Sequence, residues 1–232
     1  MKKHSVMKLI WKNNIRRLIL TWIGMFTLCL VFPKLVGAAP LEALRTLYGG
    51  TSLGWITDQA GFFLTFSLLQ YCGWLGLSCV LKNESYLLPR YQSRGALFAV
   101  LWLLLLPTDL LFVLGLAIGT LAGCHGNITT GVILELAEIS VRGLVECVFF
   151  SGVQLAFLVR LGEERTAVAM TALAVGMVLI SLSPVQSVWM APANTHFPAI
   201  SFIVGLCFTA SAAVLGRQFY CKKEGIVLWK SE

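Results

Sequence analysis

Four charged residues, Glu135, Glu138, Arg142 and Glu146, interrupt an apolar run at spacings of three and four. On an α-helix, at ~100° per residue, they fall within an arc of about 80°, one narrow face. Glu138–Arg142 and Arg142–Glu146 are i,i+4 pairs able to neutralise one another. A charge turned to lipid costs a few kcal/mol, so this face is expected to meet protein or water. Glu135 and Glu138 are expected near the outer surface, and Glu146 inside the membrane. Asp109, two residues after Pro107, is the other deep acid and an expected partner for Arg142. Two readings stay open here: a face that lines a pathway or contacts another subunit, and a structural ladder of ion pairs.

Catalytic chemistry finds little support beside these acids. Glu138-Ile-Ser-Val-Arg142 has the Glu-xxx-Arg form of intramembrane CAAX-type proteases. Those enzymes also need membrane-embedded histidines to bind and activate water. The three histidines here are His4 in the basic start and His125 and His196 in expected external loops. Ser151-Gly152 lacks the preceding Gly-x of a Gly-x-Ser-x-Gly nucleophile elbow. The chain has no His-Glu-x-x-His pair and no Gly-x-x-x-x-Gly-Lys-[Ser/Thr] phosphate loop. No catalytic, metal-binding or cofactor-binding residue is therefore expected. If the chain works on ATP, another polypeptide binds the nucleotide.

The elements that must position these residues are membrane spans. Charged residues make up 12% of the chain and apolar ones 57%, with a mean hydropathy of +0.81. A soluble domain carries about 25% charged residues, so an all-α integral membrane protein is expected. A span needs about 20 mostly apolar residues. Six such runs are placed near 18–39, 61–81, 96–121, 139–160, 167–188 and 197–216. They form one transmembrane domain, with a start at 1–17 and a tail at 217–232. The first run, Leu18–Ala39, exceeds the ~7–15 residues of a cleaved signal's apolar core and is read as a retained anchor. Before it, Val6–Arg17 mixes bulky apolar residues with cations, a pattern for an amphipathic helix in the inner interface or for a disordered basic start.

Placement of basic residues sets the orientation. With both termini in the cytoplasm, fifteen of the eighteen lysines and arginines lie inside. Only Lys34 and Arg45 lie outside, and Arg142 stays with the fourth span. That asymmetry follows the positive-inside rule, which an odd number of spans would break. The net charge of +7 is thus explained by anionic lipid rather than by nucleic acid. In the third run, Gly115, Gly119 and Gly123 repeat every fourth residue and open one helix face to close approach. Such a ladder serves packing within the bundle or across a dimer, or lines a pathway.

Between the second and third runs lies Lys82-Asn-Glu-Ser-Tyr-Leu-Leu-Pro-Arg-Tyr-Gln-Ser-Arg94. Glu84, Leu87, Leu88, Pro89, Arg90, Ser93 and Arg94 give it a character no other loop has. It resembles the cytoplasmic connection between the second and third spans of ABC type-2, export-class permeases. There an acid precedes a short helix with a Leu-Leu-x-x-Pro-x-Ser-Arg-like ending. The order is kept here and the spacing is altered. The match covers about a dozen residues, together with the six-span layout and the basic opening. The resemblance implies a loop docked in a cleft of a separate ATPase subunit, with ATP and Mg on that partner. It further implies a homodimer or a heterodimer with a similar permease, while the short external loops and unremarkable cysteines suit a bacterial plasma membrane. Exported peptides, lipids, glycans or drug-like molecules are the implied substrates. Pro89 would end the docking helix, Leu87 and Leu88 would supply its apolar surface, and Arg90 and Arg94 would pair with acids. The alternatives are a non-transporting module, such as an immunity or sensor-partner protein, and an intramembrane hydrolase dependent on Glu138 or Glu146.

Overall fold

The computed structural model describes residues 4–48, 56–82, 93–124, 128–181 and 198–222. Among the described residues the chain is all-helical, in seven helices. They are α1 (His4–Val36), α2 (Pro40–Leu47), α3 (Ile56–Lys82), α4 (Arg94–Gly123), α5 (Thr130–Leu161), α6 (Glu163–Ser181) and α7 (Pro198–Cys221). Five contain stretches long and apolar enough to cross a membrane: Ile15–Val36, Gln59–Ser78, Arg94–Gly123, Thr130–Leu161 and Phe202–Cys221. The protein is accordingly a multi-pass membrane protein. The expected fifth run, near 167–188, is covered by α6 up to Ser181, and 182–188 lie outside the described residues.

Local chemistry sets the ends of these helices. At the end of α1, Gly37 turns to φ +66° and the Ala38 N–H donates to the Pro33 carbonyl at 3.1 Å. That left-handed residue with a bond back over the last turn is a Schellman-type stop. Pro40 then opens α2, at a position where its missing N–H costs nothing. Ser93 Oγ accepts from Ala96 N at 3.1 Å and starts α4. Thr129 Oγ1 does the same for α5 through Val132 N, at 3.4 Å. Gly162, at φ +84°, separates α5 from α6 without a longer loop. α1 runs unbroken from His4 to Val36, so the basic opening continues the first span as one helix rather than forming a separate in-plane one. α2 was not expected from the sequence.

Apolar surface alone does not bring helices together in lipid, so close packing and polar contacts must. α5 is the central element and touches α2, α3, α4, α6 and α7. Its Phe150 meets Phe66 of α3 edge to face, with ring centroids 5.1 Å apart. The glycine ladder of α4 serves packing inside the chain. Gly115 faces the Trp22 indole, Gly119 lies against Cys29 and the Phe26 backbone, and Gly123 is near Pro40 and the Cys29 carbonyl. Two buried clusters stack along the bundle. One gathers Met25, Phe32, Leu44, Phe62, Phe112 and Phe150, and the other Leu77, Leu97, Leu101, Leu155 and Tyr220. Outward-facing Leu20, Leu35 and Leu134 are 67%, 71% and 67% exposed, as lipid-facing residues must be.

Candidate functional site

The charged face of α5 descends from the surface into the bundle, and its members meet three different environments. At the outer end Glu135 pairs with Arg45 of α2 at 2.8 Å, with both side chains partly exposed. An ion pair of that exposure contributes at most about 1 kcal/mol. Arg45→Ala is therefore expected to move the thermal midpoint of the detergent-solubilised protein by no more than about 4 °C, read by a fluorescence melt. One turn deeper, Arg142 donates to Glu138, the expected i,i+4 pair. The Arg142 side chain is only 10% exposed, whereas that of Glu138 is 56% exposed. Arg142 is thus a buried cation held from its outer side.

α2 acts as a plug over this face. Tyr48, at its C-terminal cap, lays its ring on Gly143, where a Cβ would fall 2.4 Å from the ring carbon Cζ. Only a glycine lets the ring approach α5 so closely. Burial pushes the Tyr48 phenol well above its ordinary pKa, so it keeps its proton. Beneath it, Tyr48, Thr65 and Glu146 are the polar members of a small half-open cavity of about 20 Å³, otherwise walled by residues such as Phe62, Phe66 and Phe112. Glu146 Oε2 and the Tyr48 hydroxyl have no hydrogen-bond partner among the described residues. The Thr65 hydroxyl donates to the Gly61 carbonyl at 2.9 Å. The volume is that of about one water. The carboxyl and the phenol are thus enclosed among α2, α3 and α5.

Asp109 does not pair with Arg142 as expected. It lies 1% exposed on α4, and its Oδ1 accepts from the Ser151 hydroxyl of α5 at 2.7 Å. Arg142 is satisfied nearer the surface by Glu138, while Asp109 sits deeper, between the two buried clusters. Asp109 Oδ2 has no partner among the described residues. A further polar cross-link ties α5 to α3, where Gln154 Nε2 donates to the Gln70 carbonyl at 2.8 Å. Ser151, Gln154 and Tyr48 were not singled out as site residues from sequence. For Ser151 and Gln154 the signal was a polar side chain inside an apolar run, which marks a residue that must face protein, whereas Tyr48, in a mixed segment, carried none. That signal does not say which neighbour.

Of the expected coupling loop, Ser93 and Arg94 are described, with Ser93 as the cap of α4. Glu84, Leu87, Leu88, Pro89 and Arg90 lie outside the described residues. Among the described residues no group of three or more His, Cys, Asp or Glu side chains could hold a metal ion. Comparison with family models, with curated proteins and with solved structures finds no match.

Proposed function

We propose that this chain is the membrane-spanning permease subunit of an export-class ABC transporter, driven by a separate ATPase subunit. The observation that carries the reading is the 82–94 segment, whose acid, Leu-Leu pair, proline and Ser-Arg ending stand between two membrane-length helices. The segment resembles a coupling loop in order of residues, and Ser93 supports an abrupt start of the following span. In this reading α6 belongs to the fifth of six spans, and both termini face the cytoplasm with fifteen of the eighteen basic residues. Two copies, or one copy and a similar chain, would enclose a pathway between them. The substrate would be a peptide, lipid, glycan or drug-like molecule.

The test is co-purification of the tagged chain from its native membrane in mild detergent, beside a Leu87→Asp/Leu88→Asp variant. An ATPase is expected to accompany the wild type and to be lost from the variant, because two carboxylates replace the apolar docking surface. A monodisperse wild-type chain that brings down no ATPase would overturn the reading and favour a non-transporting membrane module.

A further inference from the structure

We propose that the seam where α4 begins and α7 ends is a binding site for the phosphate of an anionic lipid. Three helix ends meet there. A Cβ on Gly216 of α7 would lie 2.9 Å from the Phe98 ring of α4 and 3.3 Å from the Ala156 Cβ of α5. Phe98 also packs against the buried Tyr220, with ring centroids 5.8 Å apart. On this frame the exposed Arg217 guanidinium lies against Gly95, in the first turn of α4. Its Nε and Nη2 are each 3.5 Å from where a Cβ would stand. Arg94, half-buried, is the next residue along α4. Apolar packing thus brings two arginines from two helices to one seam.

Nothing of opposite charge holds them among the described residues. The ion pairs there are Arg45–Glu135 and Arg142–Glu138, both toward the other end of the bundle. The described acids at this end, Glu163 and Glu164, sit on α6, which touches α3 and α5 and neither α4 nor α7. The first turn of α4 adds to the positive charge. Ser93 accepts from the N–H groups of Ala96 and Leu97, whereas those of Arg94 and Gly95 have no acceptor within the helix. Arg217 therefore rests on the positive end of a helix, an arrangement that repels itself unless an anion lies between. The position of the seam selects the anion. One turn deeper on α7 Val214 is exposed, and so are Leu103 and Leu106 further along α4, where lipid chains run. The arginines hence stand at the border of the apolar surface, the level of lipid phosphates. A guanidinium fork meets phosphate oxygens with two parallel N–H bonds. An anionic lipid places its phosphate and its acyl chains on the two parts of this surface at once. A zwitterionic lipid carries its own cation beside the phosphate and gains less. The site stands on the packing of α7 against α4 and is independent of the permease reading.

The experiment is native mass spectrometry of the full chain, released from detergent that contains equal amounts of phosphatidylglycerol and phosphatidylcholine with the same acyl chains. Wild type is expected to retain phosphatidylglycerol in about tenfold preference, since each arginine near an anionic headgroup favours it about fivefold. Arg94→Gln/Arg217→Gln should lose most of that preference. Arg160→Gln/Arg165→Gln removes the same charge from the same end, at the α5–α6 turn, and should keep it. Equal loss in the two double variants would show diffuse attraction and overturns the site. Equal retention of both lipids by wild type overturns it as well. Competition with sn-glycerol 3-phosphate separates the two sources of phosphate. No displacement is expected at equal concentration, because only the lipid also covers the apolar surface, and displacement would overturn the lipid in favour of a free phosphate. Arg94→Gln and Arg217→Gln alone are each expected to lose about fivefold, so the test stands even if the seam double variant does not fold.

Discussion

Gly119→Val is expected to pry α1 from α4 and to produce a protein that is extracted in low yield and melts early. A Cβ at this position would lie 2.7 Å from the Cys29 Cβ, 3.0 Å from the Phe26 carbonyl oxygen and 3.3 Å from the Phe26 Cα. Two of these three neighbours are backbone, so no rotamer change relieves the clash and the helices themselves must separate. Overpacking of this kind costs about 1–3 kcal/mol, which lowers the thermal midpoint of a chain this size by about 2–12 °C. Trp22 packs along the same seam against Gly115, and close packing of this kind is a main source of helix association in lipid. Gly24→Ala is the matched control, because a Cβ there meets nothing within 4 Å. It should be neutral or gain up to ~1 kcal/mol from the lower backbone freedom of alanine. A fluorescence melt of both variants in one detergent reads the contrast. Equal midpoints would refute the seam.

The architecture was legible in proportion to how much it depends on local pattern. Apolar run length located the membrane-length helices, and the i,i+4 spacing of Glu138 and Arg142 located their ion pair. The Gly115–Gly119–Gly123 repeat announced close approach, although not that α1 was the partner, because spacing on one helix carries no information about its neighbour. α2 escaped notice because eight residues with Glu42 and Arg45 resemble a polar turn, although its buried Ala43, Leu44 and Leu47 tie it to the bundle. With α2 hidden, Tyr48 could not be seen as the lid on Glu146, nor Arg45 as the partner of Glu135. Asp109 was correctly marked as deep, but its partner was mistaken. A full charge draws the eye to the opposite charge, whereas the group that reaches it across the helix interface is the hydroxyl of Ser151.

Whether that Asp109–Ser151 contact is scaffold or machinery is settled by breaking it from each side and then from both. Ser151→Ala is expected to destabilise the protein by about 1–3 kcal/mol, because it leaves a buried carboxyl without its donor. Asp109→Asn should cost less, since its amide oxygen can still accept from Ser151. The Asp109→Leu/Ser151→Ala double variant removes both polar groups from a site with 1% and 0% exposure. A buried polar pair replaced by apolar groups is often neutral or stabilising, so the double variant should recover most of what Ser151→Ala loses, a coupling of ~1–3 kcal/mol. Thermal midpoints of the wild type, Ser151→Ala, Asp109→Leu and the double variant yield that coupling, and strict additivity would show that the two side chains do not depend on each other. The double variant then supplies the functional test. It is a folded protein without the deep acid, so under the proposed permease reading a loss of activity in a transport assay with the proposed ATPase would assign Asp109 to the pathway. Retained activity makes Asp109 and Ser151 a polar lock between α4 and α5.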